Sequence, residues 1–498
     1  MTLDDRMVDV VDINSVGVCH DGVCVDIDSG CRTPCRTAGD LLARAMRLDD
    51  GQRDVIYVLD DAEGRRLCED VAMAGIPWTS STQARGAHIT VTATGVFYEL
   101  SVNLTGGMVK VWNINHLLRS TVRAVRKTYE AATLVDALCE YLRHMRDRGL
   151  LGMTIGGVAL RDYVGGDYVR HMRRFPQIDD TDMRTAYLGG FGMSKPGMYG
   201  DCVSLDVNSM YPHIMATERL PYGEPERYVG AYERDTRHPL TIETRVCRLD
   251  LKPGGFPVLT AETIKAYRYG RHDRRIESTD GYVRLTLTGV DWEMMAENYH
   301  MSVYEVVGGW KFQASRGYFD DYVNTWFHVK RSSHGVERET AKLMLNSLCG
   351  KFGAYPAAHG MAPVVRDGVP TWEPMDANGG GLRYVPVAAY VTAYGRRRLT
   401  NAIRKVGARC IYADTDGMIL EGAAVPAGFT ISDGLGDWKT DYRYTALSVI
   451  GNQRYSGRCE DGSVHMIMSG MPMDTAIAPE DYHRGCRYTD AHGCEHVL

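Results

Sequence analysis

The chain has 498 residues, enough for two to four domains. Its composition, 44% hydrophobic and 24% charged, excludes a mostly disordered chain and a small disulfide-stapled one. A net charge of -6 means that any nucleic-acid site must be a local patch.

Along the chain, the first twelve residues carry Asp4, Asp5, Asp9 and Asp12 and no apolar core, unlike a signal peptide. Residues 1–110 read as short strands with turns: Val55 to Leu59 is β-rich, and Ile89 to Ala93 with Val96 to Leu100 reads as a hairpin about Thr94-Gly95. Residues 116–148 read as helix, with Leu134, Leu138, Tyr141 and Leu142 on one face. The Gly-rich stretch Leu151 to Gly166 reads as a linker. Strand-and-loop texture runs from 200 to about 318, a long helix over 318–353, and a Gly- and Pro-rich excursion over 355–382. Strands return at Cys410-Ile411-Tyr412 and Met418-Ile419-Leu420, giving an α+β chain. No run of about eighteen uncharged apolar residues is present to span a membrane. The 13 Cys, an odd and scattered set, suit reduced thiols. A cytoplasmic protein is expected.

Two acidic motifs carry chemistry. Asp206 ends an apolar strand in Ser204-Leu205-Asp206-Val207-Asn208-Ser209-Met210-Tyr211-Pro212. Asp414 and Asp416 flank a turn in Ile411-Tyr412-Ala413-Asp414-Thr415-Asp416-Gly417-Met418-Ile419. Carboxylates this close repel unless a cation sits among them. Mg²⁺ or Mn²⁺ suits such a set, since Mg²⁺ takes one or two carboxylates and completes its shell with water and phosphate. Either motif alone reads more readily as solvated surface. A third element changes the weighting. Lys330, Arg338, Lys342, Asn346 and Cys349 fall on one predicted helix, the last four on one face. Lys is scarce, 11 of 57 basic residues, and Lys330, Lys342 and Lys351 lie close together. Such a stripe suits a triphosphate.

These three segments, with Lys342-Leu343-Met344-Leu345-Asn346-Ser347-Leu348-Cys349-Gly350-Lys351-Phe352 as the second, resemble motifs A, B and C of family B DNA polymerases, and most closely the protein-primed branch of bacteriophages and linear plasmids. Tyr187-Leu188-Gly189-Gly190 resembles the Tyr-x-Gly-Gly motif of that branch. The resemblance implies a right-hand polymerase with palm, fingers and short thumb behind an RNase H-like exonuclease-type domain. The implied boundaries are 1–160 for the exonuclease-like domain and 161–217 and 382–474 for the palm. Two terminal-protein-region insertions fall at 218–317 and 356–381, the fingers at 318–355 and the thumb at 475–498. The resemblance makes Asp206, Asp414 and Asp416 the catalytic, metal-binding acids and Tyr211 the steric gate. It assigns the triphosphate to Lys330, Arg338 and Lys342, and the nascent base pair to Asn346 and Gly350. DNA contacts fall to Tyr187, Gly189, Gly190, Tyr412, Thr415, Arg454 and Tyr455. Implied partners are primer-template DNA, dNTPs and a terminal protein, with the enzyme a monomer. Strand displacement is a property of the branch.

The chain departs from the family at four places. Cys349 stands where the family has Tyr, which predicts weaker nucleotide stacking. Gly417 replaces a Ser, a change expected to be tolerated. Gln453-Arg454-Tyr455 lacks the Lys of the primer-gripping Lys-x-Tyr motif. The exonuclease acids are depleted: Asp12-Ile13-Asn14 replaces Asp-x-Glu, Leu59 and Glu63 replace Asn and Asp, and Ala132 replaces the Tyr before Asp136. Two-metal hydrolysis needs carboxylates at fixed positions, so proofreading is expected to be impaired or absent. A non-catalytic replisome scaffold and a primase are the alternative readings. Two Cys/His groups, Cys19, His20, Cys24, Cys31 and Cys35, and His483, Cys486, His492, Cys494 and His496, lack zinc-finger spacing.

Overall fold

The computed structural model describes residues 13–498 apart from 50, 60, 77–85, 92–96, 105–106, 119–132, 179, 261–267, 270–274, 355–359, 376–383, 470–475, 490–494 and 498. The chain divides into two compact units, Met1–His171 with Asn324–Leu382, and Met172–Val323 with Arg383–Leu498.

In the first unit a seven-stranded sheet has the order Arg32–Pro34, Val23–Asp26, Ile13–His20, Arg53–Val58, Gly107–Asn113, Phe97–Leu104 and Gly86–Val91. The three central strands, Ile13–His20, Arg53–Val58 and Gly107–Asn113, run parallel. The middle one is a continuous apolar run, buried from Asp54 to Val58, as expected for a strand covered on both faces. Helices Ala38–Ala45 and Asp61–Met73 bury Leu41, Leu67 and Val71 in the same core as Ile56, Val58 and Val111. The sequence reading had no helices here. The predicted hairpin holds as strands Gly86–Val91 and Phe97–Leu104, its turn at Thr94-Gly95 lying outside the described residues.

The stretch read as a linker is instead helix Ile155–Val164, capped by Thr154 and ended by Gly165 at φ 60°. It packs on helix Gly335–Phe352: a Cβ on Gly156 would lie in ordinary contact, 3.8 Å, from Ser347 O and from Lys351 Cδ. The helix predicted over 318–353 is two, Asp320–Ser332 and Gly335–Phe352. Gly335, at φ 56°, takes the left-handed turn that separates them. The excursion after it is a hairpin, Gly360–Arg366 with Val369–Met375, turning at Asp367 (φ 52°) and Gly368 (φ 78°). That pair of positive φ values is a type I′ turn. Trp372 fixes the hairpin to helix Asp61–Met73, donating to Glu69 Oε1 at 2.8 Å.

The second unit is built on an eight-stranded antiparallel sheet. Its order is Val464–Met468, Arg454–Cys459, Trp438–Gly451, Cys202–Val207, Gly417–Glu421, Cys410–Asp414 and Gly192–Ser194, with Gly197–Tyr199 paired to Trp438–Gly451. A second, six-stranded sheet lies between residues 220 and 315 and closes its core around Cys247, Leu249, Leu287, Trp292 and Tyr299. Helix Val385–Val406 runs behind both, and 16 of its 22 residues are buried. Sequence reading missed this helix. Its first half, Val-Pro-Val-Ala-Ala-Tyr-Val-Thr-Ala-Tyr-Gly, is rich in β-formers, and tertiary packing overrides that propensity. Tyr390 ties it to the second sheet, its hydroxyl donating to Thr241 O at 2.6 Å and accepting from Thr241 N at 2.9 Å. Among the described residues, no helix is long and apolar enough to cross a membrane.

Candidate active site

Cross-strand register gathers the acids of the two motifs in the second unit. Asp206 stands opposite Gly417 on one side and Lys439 on the other, and Asp414 also stands opposite Gly417. Residues opposite one another share a face of the sheet. A Cβ on Gly417 would lie 3.3 Å from Asp206 Oδ1, so the missing Ser side chain leaves this carboxylate room.

Two turns beside the acids each carry one residue in left-handed backbone. Ser209, after Asp206, has φ 53°, and Thr415, between Asp414 and Asp416, has φ 54°. A β-branched residue in that region is strained, and such strain persists only where the surroundings enforce it. Here they do: Thr415 N donates to Phe191 O at 2.9 Å, Val207 N to Asp416 O at 2.9 Å and Asn208 N to Asp437 O at 2.8 Å. The Asp414 carboxylate accepts from Thr415 Oγ1 at 2.9 Å and from Tyr412 OH at 3.4 Å. Burial, with Asp206 and then Asp414 beside it, pushes the Asp416 carboxyl up to about 7. Lys439 pulls the other way, but less than burial and the two neighbouring carboxylates push.

The Tyr-x-Gly-Gly segment packs on the same turn. A Cβ on Gly190 would come within 2.6 Å of Thr415 Oγ1 and 3.1 Å of its Cα, so only glycine fits. Behind it Arg396, 5% exposed, donates to the carbonyls of Leu188 and Gly189 at 2.7 Å each. The same guanidinium grips the buried Asp291 carboxylate at 2.8 and 2.9 Å. A cleft of about 570 Å³ opens here, lined by Tyr187, Gly189, Gly190, Arg396, Tyr412 and Asp414 among others.

Tyr455 packs edge-on against Tyr412, ring centroids 5.0 Å apart, and is buried, whereas Arg454 is exposed. Gln453 occupies the preceding turn at φ 53°, and its N–H donates to Tyr412 OH at 3.2 Å. The ring of Tyr211 lies over Gly395 of helix Val385–Val406, where a Cβ would sit 2.9 Å from Tyr211 Cε1 and 3.0 Å from Met210 Cε. Gly395, Arg396 and Lys439 were not found by sequence reading. Only Lys439 left a signal there, as one of few lysines.

The basic stripe lies in the first unit. Arg338, Lys342, Asn346 and Gly350 are exposed along helix Gly335–Phe352. Lys330 is on the preceding helix, and the break brings it back to Arg338, which donates to Lys330 O at 2.9 Å. Cys349 does not extend the stripe as expected. It is 3% exposed, and burial pushes its thiol up to about 12. The last turns of this helix pack on Ile155–Val164 and Tyr163, whose ring lies 6.4 Å from that of Phe352. Helical spacing reports angle and not which turns a neighbour covers.

The residues that the resemblance sets against an exonuclease site each have their own partners. Asn14 donates to Asp54 Oδ1 at 3.0 Å, and Asp54 is ion-paired to Arg44 at 2.5 Å. Glu63 is 5% exposed, and its Oε1 accepts from Gly22 N at 3.1 Å and Cys19 Sγ at 3.4 Å. Asp136 accepts from Thr133 Oγ1 at 2.6 Å beside the start of helix Leu134–Asp147. Asp12 lies outside the described residues, as do His492 and Cys494. Among the described residues, no three His, Cys, Asp or Glu side chains are closed into a metal-binding group.

The family model for DNA polymerase type B, organellar and viral, matches residues 167–421, from ahead of the Tyr-x-Gly-Gly segment through the Asp-x-Asp turn. The chain belongs to this family. The DNA polymerase of Bacillus phage phi29 is 32% identical over 302 residues, 59% of this chain and 52% of that protein. The DNA polymerase of Streptococcus phage Cp-1 is 28% identical over 280 residues, 55% of this chain and 49% of that one. The matched stretch thus spans about half the length of these curated relatives. In structure the likeness extends further. Phi29 DNA polymerase complexed with primer-template DNA and incoming nucleotide substrates superposes with a TM-score of 0.83 at 22% identity, covering 95% of this chain and 96% of that one. The fold is therefore that of a right-hand polymerase with an exonuclease-type domain.

Proposed function

We propose that this chain is a DNA-templated DNA polymerase of the protein-primed type that joins dNMP units to a primer 3′-hydroxyl and lacks effective 3′–5′ proofreading. The carrying observation is the register that sets Asp206 and Asp414 on one face about Gly417, with the Asp416 carboxyl held up by both. The donors are hard carboxylate oxygens with excess negative charge, which fits Mg²⁺ or Mn²⁺. Divalent ions held by Asp206, Asp414 and Asp416 would supply Lewis acidity toward the primer hydroxyl and the phosphates. The chain's own groups position the reactants. Tyr211, seated on Gly395, would fill the space a ribose 2′-hydroxyl needs. The Tyr187–Gly190 cleft would take a DNA strand, and the exposed Lys342 and Arg338, with Lys330, would bind the triphosphate.

The reading of proofreading rests on Asn14, Glu63 and Asp136 being spent on separate local contacts. Primer extension with Mg²⁺ on a 5′-overhang duplex, run with and without dNTPs, tests both halves. Extension with dNTPs and an intact primer without them is the expected result. Shortening without dNTPs would overturn the exonuclease half. If neither occurs, addition of a candidate terminal protein separates a strict protein-primed enzyme from a non-catalytic scaffold.

Gly395→Ala probes the gate. Its methyl would press on Tyr211, and overpacking of this kind costs about 1–3 kcal/mol. The expected result is a KM for dNTP raised about tenfold, since 1.4 kcal/mol is a factor of about ten. The ratio of rNTP to dNTP incorporation is expected to change with it. Steady-state kinetics with both substrates reads both effects.

A further inference from the structure

Lys439 is a cation beside the acids for which the polymerase reading has no use. It lies on strand Trp438–Gly451 directly opposite Asp206. Its ammonium stands 2.9 Å from Asp206 Oδ2 and 2.5 Å from Asp441 Oδ1. The Lys439 side chain is 35% exposed and that of Asp206 23%, so the pair is only partly screened by solvent. One oxygen of Asp206 is thus engaged by a protein cation, and the other faces Gly417. A divalent ion needs the same carboxylate oxygens.

The choice of residue fits a movable partner. In a chain with 11 Lys against 46 Arg, this position carries Lys. Arg would clamp a carboxylate through two fixed hydrogen bonds, whereas Lys is a compact point charge on a flexible four-carbon stem. Asp441, two residues on, offers a second seat within reach of the same ammonium.

We propose that Lys439 is a tethered counter-ion that occupies Asp206 in the metal-free enzyme and withdraws to Asp441 when a divalent cation loads, thereby setting the affinity of the site for that cation. This rests on the reading of Asp206 as a metal ligand. Lys439 is a positioning residue here: it holds a ligand and competes for it.

Mn²⁺ titrated into the full chain, without DNA or nucleotide, tests this by calorimetry or by the paramagnetic signal of free Mn²⁺. Lys439→Met is expected to bind Mn²⁺ at least about tenfold more tightly than the parent, because a positive charge beside the site is gone. Lys439→Arg keeps the charge and is expected to bind no more tightly than the parent. Asp206→Asn is expected to lose the binding. The rise in melting temperature on adding Mn²⁺ is expected to be larger for Lys439→Met than for the parent. It provides a second readout, and Lys439→Gln a second variant, should the Met variant fold poorly. Equal or weaker Mn²⁺ binding by Lys439→Met, with Asp206→Asn still inactive in binding, would overturn the counter-ion role alone. Undiminished binding by Asp206→Asn would overturn the metal-ligand reading and the proposal with it.

Discussion

Asp414→Asn is expected to reduce nucleotide incorporation by at least about 10³-fold, a loss of roughly 4 kcal/mol of transition-state stabilisation, while leaving the protein folded. Asp206→Asn is expected to do the same. The amide matches the carboxylate in volume and can keep its local partners, which for Asp414 are the hydroxyls of Thr415 and Tyr412. What it loses is the charge that a divalent cation needs. The metal-free fold of Asp414→Asn is expected to hold its stability or gain slightly, whereas Asp206→Asn also gives up its ion pair with Lys439. Asp416 is pushed up to about 7 partly by the charges of Asp206 and Asp414, and removing either charge relieves that repulsion. Primer extension alongside thermal melting checks both halves. Retained incorporation by both variants would remove the catalytic assignment, and loss of folding would mean that the acids are structural.

Arg396→Ala is expected to be the most destabilising single change in the second unit. Arg396 is 5% exposed and Asp291 3%, so truncating the guanidinium strands a buried carboxylate. Breaking such a pair from one side costs about 3–5 kcal/mol. The carbonyls of Leu188 and Gly189 lose their donor in the same step, which frees the segment that packs on Thr415. Replacing both partners, Arg396→Met with Asp291→Leu, is expected to cost much less, because no charge is left unpaired. The urea midpoint of each variant reads stability. Primer-template affinity reads the segment, and it is expected to stay low in the double variant even where stability returns. Equal midpoints for the single and double variants would mean that the ion pair is not what holds this region.

The acids were legible because their chemistry is local. An apolar strand ending in Asp206, and Asp414 and Asp416 two residues apart between apolar strands, are short local motifs, and with the basic helix between them in the chain they read together as a metal and phosphate site. The Gly360–Met375 hairpin was legible for a similar reason, since its Pro- and Gly-rich excursion turns at Asp367-Gly368. Helix Val385–Val406 was not, because its β-formers become helical only when packed on nearly all sides. The helix in the supposed linker was hidden by Gly156 and Gly157, which read as flexibility, whereas Thr154 caps the helix and its buried face holds Ile155, Val158, Ala159 and Leu160.

By itself the sequence determined the α+β class and the acidic and basic motifs with their order. These are properties of residue type at short spacing, where periodicity and turn chemistry act. Tertiary structure alone decided which groups support the acids. Arg396 meets Asp291 across 105 positions, Gly395 meets Tyr211, and Lys439 meets Asp206 through strand register. It also decided that Cys349 is covered and that Asn14, Glu63 and Asp136 each bond to different partners. Partners so distant in the chain leave no periodic trace, because burial and register are set by the whole packed sheet and not by any segment of it.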